Sequence, residues 1–151
     1  MLGRAEIAAL IPHGPSMCLL ERVLEWDARA IRCESISHRD PAHPLRENDG
    51  LPIWAGIEYA AQAAAVHGAL LAGRRSPRTG VLASLREVRA GRRWLHDCPG
   101  ELVFAATLVH SDPAGAIYRF AATNGTGADA EECITGQFAL MFYPAKDRRD
   151  P

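Results

Sequence analysis

Hydrophobic positions along the chain fall into two patterns, one dense and helical, the other alternating. The dense pattern runs from Ala55 to Gly73, AGIEYAAQAAAVHGALLAG, a series of strong helix formers that is apolar on almost every side. It predicts a buried helix that stops at Gly73. At about 1.5 Å per residue it would be ~27 Å long, enough to cross a small domain. Ahead of it, Arg4 to Leu10 has the pattern of a short helix, ended by Ile11, Pro12 and the turn-prone His13-Gly14-Pro15. In MCLLERVLEWDARAIRCESIS, Leu20, Val23 and Leu24 keep helical spacing, but Ile31 and Cys33 alternate with Arg32 and Glu34. The reading is two strands joined near Asp27 and Ala28. The stretch up to Pro52, HRDPAHPLRENDGLP, carries three prolines and a glycine and reads as a loop leading into the long helix.

Beyond the helix the alternation is that of strands. Val81 to Val88 is one, and Leu102 to Val109 is apolar on both alternating faces, as a central strand would be. A turn at SDPAG, a strand over Ile117 to Thr123 and a turn at NGTGAD follow. In the last strand Ile134, Phe138, Leu140 and Phe142 alternate with Thr135, Gln137, Ala139 and Met141. Pro144 and a charged tail, 145–151, end the pattern. The order is a short helix, two strands, a long apolar helix and four strands in antiparallel succession. It predicts an α+β domain over 1–151 in which one antiparallel sheet wraps one central helix. One sheet covers only about half of so apolar a helix, so a dimer is expected.

Composition narrows the class. A length of 151 residues with 48% hydrophobic ones suits a single core. The net charge of −1 argues against general nucleic-acid binding, and Glu58, Gln62 and His67 argue against a membrane span for the long helix. The N-terminus shows no long apolar run or cleavage site, and the expected location is cytoplasmic. Cys18, Cys33, Cys98 and Cys133 are widely spaced and read as reduced and structural. Arg74, Arg75, Arg78, Arg86, Arg89, Arg92 and Arg93 fall within twenty residues that hold only Glu87 as an opposing acid. They are either a solvated face or a landing site for an acidic or phosphorylated partner.

Candidate chemistry centres on Glu58, a carboxylate placed near the start of the apolar helix, with Gln62 one turn later on the same face. Gln62 reads as its support. His67, nine residues past Glu58, points to the opposite face and reads as structural, while His96 and His110 read as surface residues. His38, Asp40 and His43 lack a recognised metal spacing. Cys18 with His13 is a poor nucleophile pair, because the intervening Gly14 and Pro15 do not fix their geometry.

The stretches LIPHGPSMCLLERVLEWD and LPIWAGIEYAAQ resemble the hot-dog-fold dehydratases that act on 3-hydroxyacyl thioesters of acyl carrier protein, most closely those of aryl polyene pathways. The resemblance implies a homodimer, or a heterodimer with a related hot-dog subunit, whose sheets join and whose active sites lie at the interface. It implies no cofactor beyond the phosphopantetheine that carries the substrate. It places the acidic catalytic residue at Glu58, the accompanying glutamine at Gln62 and the catalytic histidine at His43, with His13 and His38 as alternatives. His43 lies about one residue further from the glutamate than in the Gly-His-Phe-Pro-Gly motif of fatty-acid dehydratases.

Dehydration removes a proton from the carbon beside the thioester carbonyl and expels hydroxide from the next carbon, so it needs a base and an acid. A neutral histidine and a carboxyl group can supply them. Backbone N–H groups near Ala55 and Gly56 are expected to receive the charge growing on the thioester oxygen, with Gly56 allowing close approach. Two rival readings are a thioesterase on the same fold, in which Glu58 activates water, and a non-catalytic acyl-binding subunit.

Overall fold

The dense apolar run forms one helix, and the alternating segments form one sheet around it. The computed structural model describes residues 1–11, 15–74 and 80–143. Its main elements are α1 (Arg4–Leu10), β1 (Arg22–Trp26), β2 (Ala30–Ser35), α2 (Ala55–Leu71), β3 (Gly80–Ala90), β4 (Leu102–Asp112), β5 (Gly115–Asn124) and β6 (Glu131–Phe142). A short 3-10 turn, Ser37–Arg39, opens the loop between β2 and α2. At the end of α2, Gly73 adopts φ 73°, and Arg74 N–H closes back onto the Ala69 carbonyl at 2.8 Å. A left-handed residue in that place is what stops the helix. His13, Arg75, Arg78, Pro144 and the 145–151 tail lie outside the described residues.

All pairings in the six-stranded sheet are antiparallel, in the order β1-β2-β4-β5-β6-β3. This corrects the expected succession of the last four strands. β4, β5 and β6 do follow one another, but β3 crosses to the far edge beside β6 and leaves β4 next to β2. Composition explains the exchange. Leu102, Val103, Phe104 and Ala106 are all buried, on both faces of β4, and need neighbours on either side. β3 carries Arg86, Glu87 and Arg89, which suit an edge that must not recruit strands indiscriminately.

α2 lies across β2, β4 and β5. Its buried residues Ala60, Ala63 and Ala64 let the backbones approach, and the ring of Tyr59 stacks on Phe104 with centroids 4.5 Å apart and planes 8° apart. His67 is buried on the side away from Glu58, with Nδ1 at 2.8 Å from Tyr118 Oη and Nε2 at 2.8 Å from the Asp27 carbonyl. It is a satisfied core histidine. The four cysteines are buried free thiols.

β3 and part of α2 have no such cover. Val81, Leu82 and Leu85 are exposed on β3, and Ile57, Ala61 and Ala65 form a half-buried stripe along α2. That stripe continues the face that carries Glu58.

Candidate active site

Glu58 stands in the first turn of α2, half-buried, on the side that the chain's own sheet does not cover. Four residues on, the buried amide of Gln62 is held from both ends. Its Oε1 accepts Leu19 N–H at 3.0 Å, and its Nε2 donates to the Met17 carbonyl at 2.7 Å and to Glu58 Oε1 at 3.4 Å. The two backbone partners fix which end of the amide is the donor, so the group facing Glu58 is an N–H. Gln62 thereby ties the 17–19 segment to the helix at the level of Glu58.

A second arm of the network starts in the loop before α2. Asp40 Oδ1 accepts Ala42 N–H at 2.8 Å, a tight turn that brings His43 inward until it is 5% exposed. Leu45 N–H donates to His43 Nδ1 at 3.0 Å, so the neutral ring carries its hydrogen on Nε2, which lies 2.9 Å from Tyr59 Oη. Direction then propagates along the chain. Having accepted from His43, the Tyr59 hydroxyl donates to Ser37 Oγ at 2.6 Å, and Ser37 donates to the Leu19 carbonyl at 2.8 Å. Ser35 Oγ also donates to that carbonyl. Because the series ends on a carbonyl, which cannot take up a proton, it orients His43 and cannot carry protons away. Leu19 joins the two arms: its carbonyl closes the His43 arm and its N–H begins the Gln62 arm.

Burial sets the electrostatics. It holds the His43 imidazole below its ordinary value of 6.5, against a smaller opposing pull from Asp40, and it pushes the Tyr59 hydroxyl up to about 12. His38, also buried, is likewise lowered by burial; its Nε2 is 3.0 Å from the Cys98 carbonyl, and its Nδ1 has no partner among the described residues. Burial raises the Cys18 thiol, which suits packing better than attack.

The structure brings Glu58, Gln62 and, through Tyr59 and Leu19, His43 into one network, whereas His13 lies outside the described residues. At three places the local bonding differs from the one expected. With Nδ1 and Nε2 both engaged, His43 has no free lone pair in this arrangement, because the Leu45 amide occupies the position a base would use. The N–H groups of Ala55 and Gly56 are not open to an oxyanion either. They donate to the carbonyls of Pro52 and Ile53, each at 3.0 Å, because the Pro52–Trp54 turn carries the helical bonding one step further back. Gly56 is buried against β6 instead: a Cβ there would lie 3.0 Å from Ile134 Cγ2, so the missing side chain serves strand packing rather than access for a thioester. His96 is no mere surface residue, since its Nδ1 accepts Leu51 N–H at 3.0 Å. His110, paired with Asp112 at 3.2 Å, is one. Tyr59 and Ser37 had no signal in the sequence, because their partners are 16 and 22 residues away. Among the described residues no group of three or more His, Cys, Asp or Glu side chains is arranged to hold a metal ion. No described helix is long and apolar enough to cross a membrane.

Comparison with known proteins agrees with this architecture. The dehydratase heterocomplex ApeI:P from Xenorhabdus doucetiae superposes with a TM-score of 0.77 at 23% identity, covering 97% of this chain and 93% of that one. A thioesterase from Haemophilus influenzae superposes at 0.65 with 10% identity, covering 99% of this chain and 96% of that one. AziG from S. sahachiroi does so at 0.57 with 16% identity, covering 80% and 89%. These likenesses show the hot-dog fold. A search of curated proteins gives no match. Family membership comes from the sequence itself, which matches the ApeP-like family, described as ApeP dehydratase, continuously over residues 5–144 and thus through every element that builds the site. The chain belongs to the ApeP-like dehydratases.

Proposed function

We propose that the protein removes water from a 3-hydroxyacyl thioester carried on the phosphopantetheine of an acyl carrier protein, at a site that a second hot-dog subunit completes. The observation that carries this reading is the setting of Glu58: a half-buried carboxyl joined to the Gln62 amide, on the face of α2 that the described sheet leaves uncovered. Such a group can receive or deliver the proton that leaves with the hydroxyl. Around it the uncovered surface is apolar. Trp54, 58% exposed, lies one turn ahead of Glu58, and Ile57 and Ala61 lie beside it. An acyl chain running there is removed from water only when a partner covers it. The bare edge and inner face of β3, with Leu82 and Leu85, offer that partner a place. The heterocomplex relative has two kinds of subunit by its name, which supports a related hot-dog chain as the second one.

The proton beside the carbonyl is taken by a histidine. For His43 to do so, the Leu45 N–H must first leave Nδ1; the neutral state imposed by burial already suits a base. His13 is the alternative in this chain. Mass analysis of a 3-hydroxyacyl carrier-protein thioester incubated with the assembled protein tests the reaction. Loss of water with the thioester intact supports it, and release of the carrier thiol would make the protein a thioesterase instead. His43→Ala and His13→Ala run in parallel name the base by the variant that stops turnover. Carrier binding without any product would leave only an acyl-binding subunit.

A further inference from the structure

The structure assigns a carrier-protein docking surface to the outer face of the sheet, around Arg86, Arg89 and Arg119. The assignment rests on the dehydratase reading above. The arginine-rich stretch between Arg74 and Arg93 divides in the fold. Arg92 is spoken for, with Nη2 at 2.9 Å from Asp97 and Nη1 at 3.6 Å from Glu131. Arg93 lies over the Trp94 ring at 5.2 Å. Arg86 and Arg89 point outward from β3, in register with Gln137 and Thr135 of β6. Gln137 in turn pairs with Arg119 of β5, so Arg86 and Arg119 occupy one row with a single strand between them, ~10 Å apart. All three arginines are exposed, and among the described residues none makes an ion pair or side-chain hydrogen bond. Sequence could not reveal this, because Arg119 joins the group only through strand pairing.

The floor between the arginines is cut low. Ala105, Thr107, Ala121 and Thr135 face outward there and, with Arg89 and Arg119, bound a shallow groove of about 530 Å³. Glu87, on a bulge of β3 with φ 54°, is the acid in its lining. Arg86 and Arg89 on β3 and Arg119 across the intervening β6 are three like charges against one acid in the lining, Glu87, and they repel one another. In a chain of net charge −1 they make a local positive field that attracts an acidic surface and speeds its encounter. A nucleic acid is disfavoured by that same net charge. An acidic carrier protein fits a patch of this sign, and its phosphopantetheine is a long flexible tether, so the docking face need not adjoin Glu58.

The test compares dehydration of one 3-hydroxyacyl group presented on the carrier protein or on N-acetylcysteamine, a short thioester without a carrier. Arg89→Glu/Arg119→Glu should raise the KM for the carrier-bound substrate roughly tenfold or more and leave kcat/KM for the short thioester unchanged. Added salt should weaken the native protein in the same direction. Arg29→Glu, a charge reversal at the β1–β2 turn, should change neither. A direct titration of the carrier protein should show the same loss of affinity in the double variant. Equal carrier affinity in the native and variant proteins overturns the assignment, as does an equal fall on both substrates. A variant whose assembly size changes gives the face to a second copy of the chain, and inorganic phosphate that displaces the carrier at low concentration makes it a small-anion site. If neither substrate loses water with the native protein, the dehydratase reading fails, and the carrier titration still decides the docking surface separately.

Discussion

Replacing Tyr59 with Phe removes one oxygen from the centre of the network and leaves everything else in place. The ring is fully buried and stacked on Phe104, so the apolar contacts survive. What is lost is the acceptor for His43 Nε2–H at 2.9 Å and the donor to Ser37 Oγ at 2.6 Å. Ser37 keeps its bond to the Leu19 carbonyl at 2.8 Å, so its hydroxyl hydrogen is not stranded. The His43 N–H is, in a setting 5% exposed, and leaving such a donor unpaired costs about 1–3 kcal/mol. For a chain of this length that corresponds to a fall of roughly 2–10 °C in the thermal midpoint. Denaturant unfolding of the native protein and of Tyr59→Phe, Ser37→Ala and the double variant measures it. Because the two hydroxyls act in series, the double variant should lose less than the sum of the single ones, by about 0.5 kcal/mol or more. Strict additivity, or a Tyr59→Phe variant as stable as the native protein, would refute the continuous chain from His43 to Leu19. Nitrogen chemical shifts of the His43 ring supply a second reading: hydrogen on Nε2 in the native protein, and a changed tautomer balance in the variant.

Acidification should destabilise the fold. Burial lowers both His38 and His43 from 6.5, so below that value the unfolded chain binds protons that the folded one refuses, and stability falls with pH through the window beneath it. Thermal midpoints between about pH 7.5 and about pH 5.5 should show the decline. His38→Gln, which cannot titrate, should make it shallower, and an unchanged slope would count against the assignment. Gln62→Leu strands the buried Leu19 N–H and removes a donor from the half-buried Met17 carbonyl, so unfolding should show a loss of about 1–3 kcal/mol, the cost of one buried orphan. Gly50 adopts φ 131° with the His96 ring against the place a Cβ would occupy, so Gly50→Ala should lower the midpoint well beyond the effect of Gly73→Ala, where nothing lies within 4 Å.

How far the sequence reaches depends on how local each feature is. The central helix was legible because an unbroken apolar run has only one economical place to go, and the hairpins of β4, β5 and β6 because each turn is written in adjacent residues. The place of β3 was not, since alternation reports that a strand exists without saying which strand it meets. The exchange is visible only when burial on both faces of β4 is set against the charges of β3. Glu58 and Gln62 could be paired from their spacing alone. The fate of the Ala55 and Gly56 amides could not, because it depends on the turn at Pro52, where irregular residues continue the helical bonding. Tyr59 and Ser37 are ordinary residues in sequence and acquire meaning only through partners brought from other segments.

The central claim is that the carboxyl of Glu58 moves the proton that accompanies the departing hydroxyl. Glu58→Gln tests it with little disturbance, because the new amide keeps an oxygen to accept from Gln62 Nε2, now at 3.4 Å from Oε1. Single-turnover dehydration of a carrier-bound 3-hydroxyacyl thioester should slow by roughly 10²–10⁴-fold while the thermal midpoint stays at the native value, the loss expected when a positioned acid–base group is removed. A variant that turns over within about tenfold of the native rate with its fold intact would contradict the claim and leave Glu58 as a structural companion of Gln62.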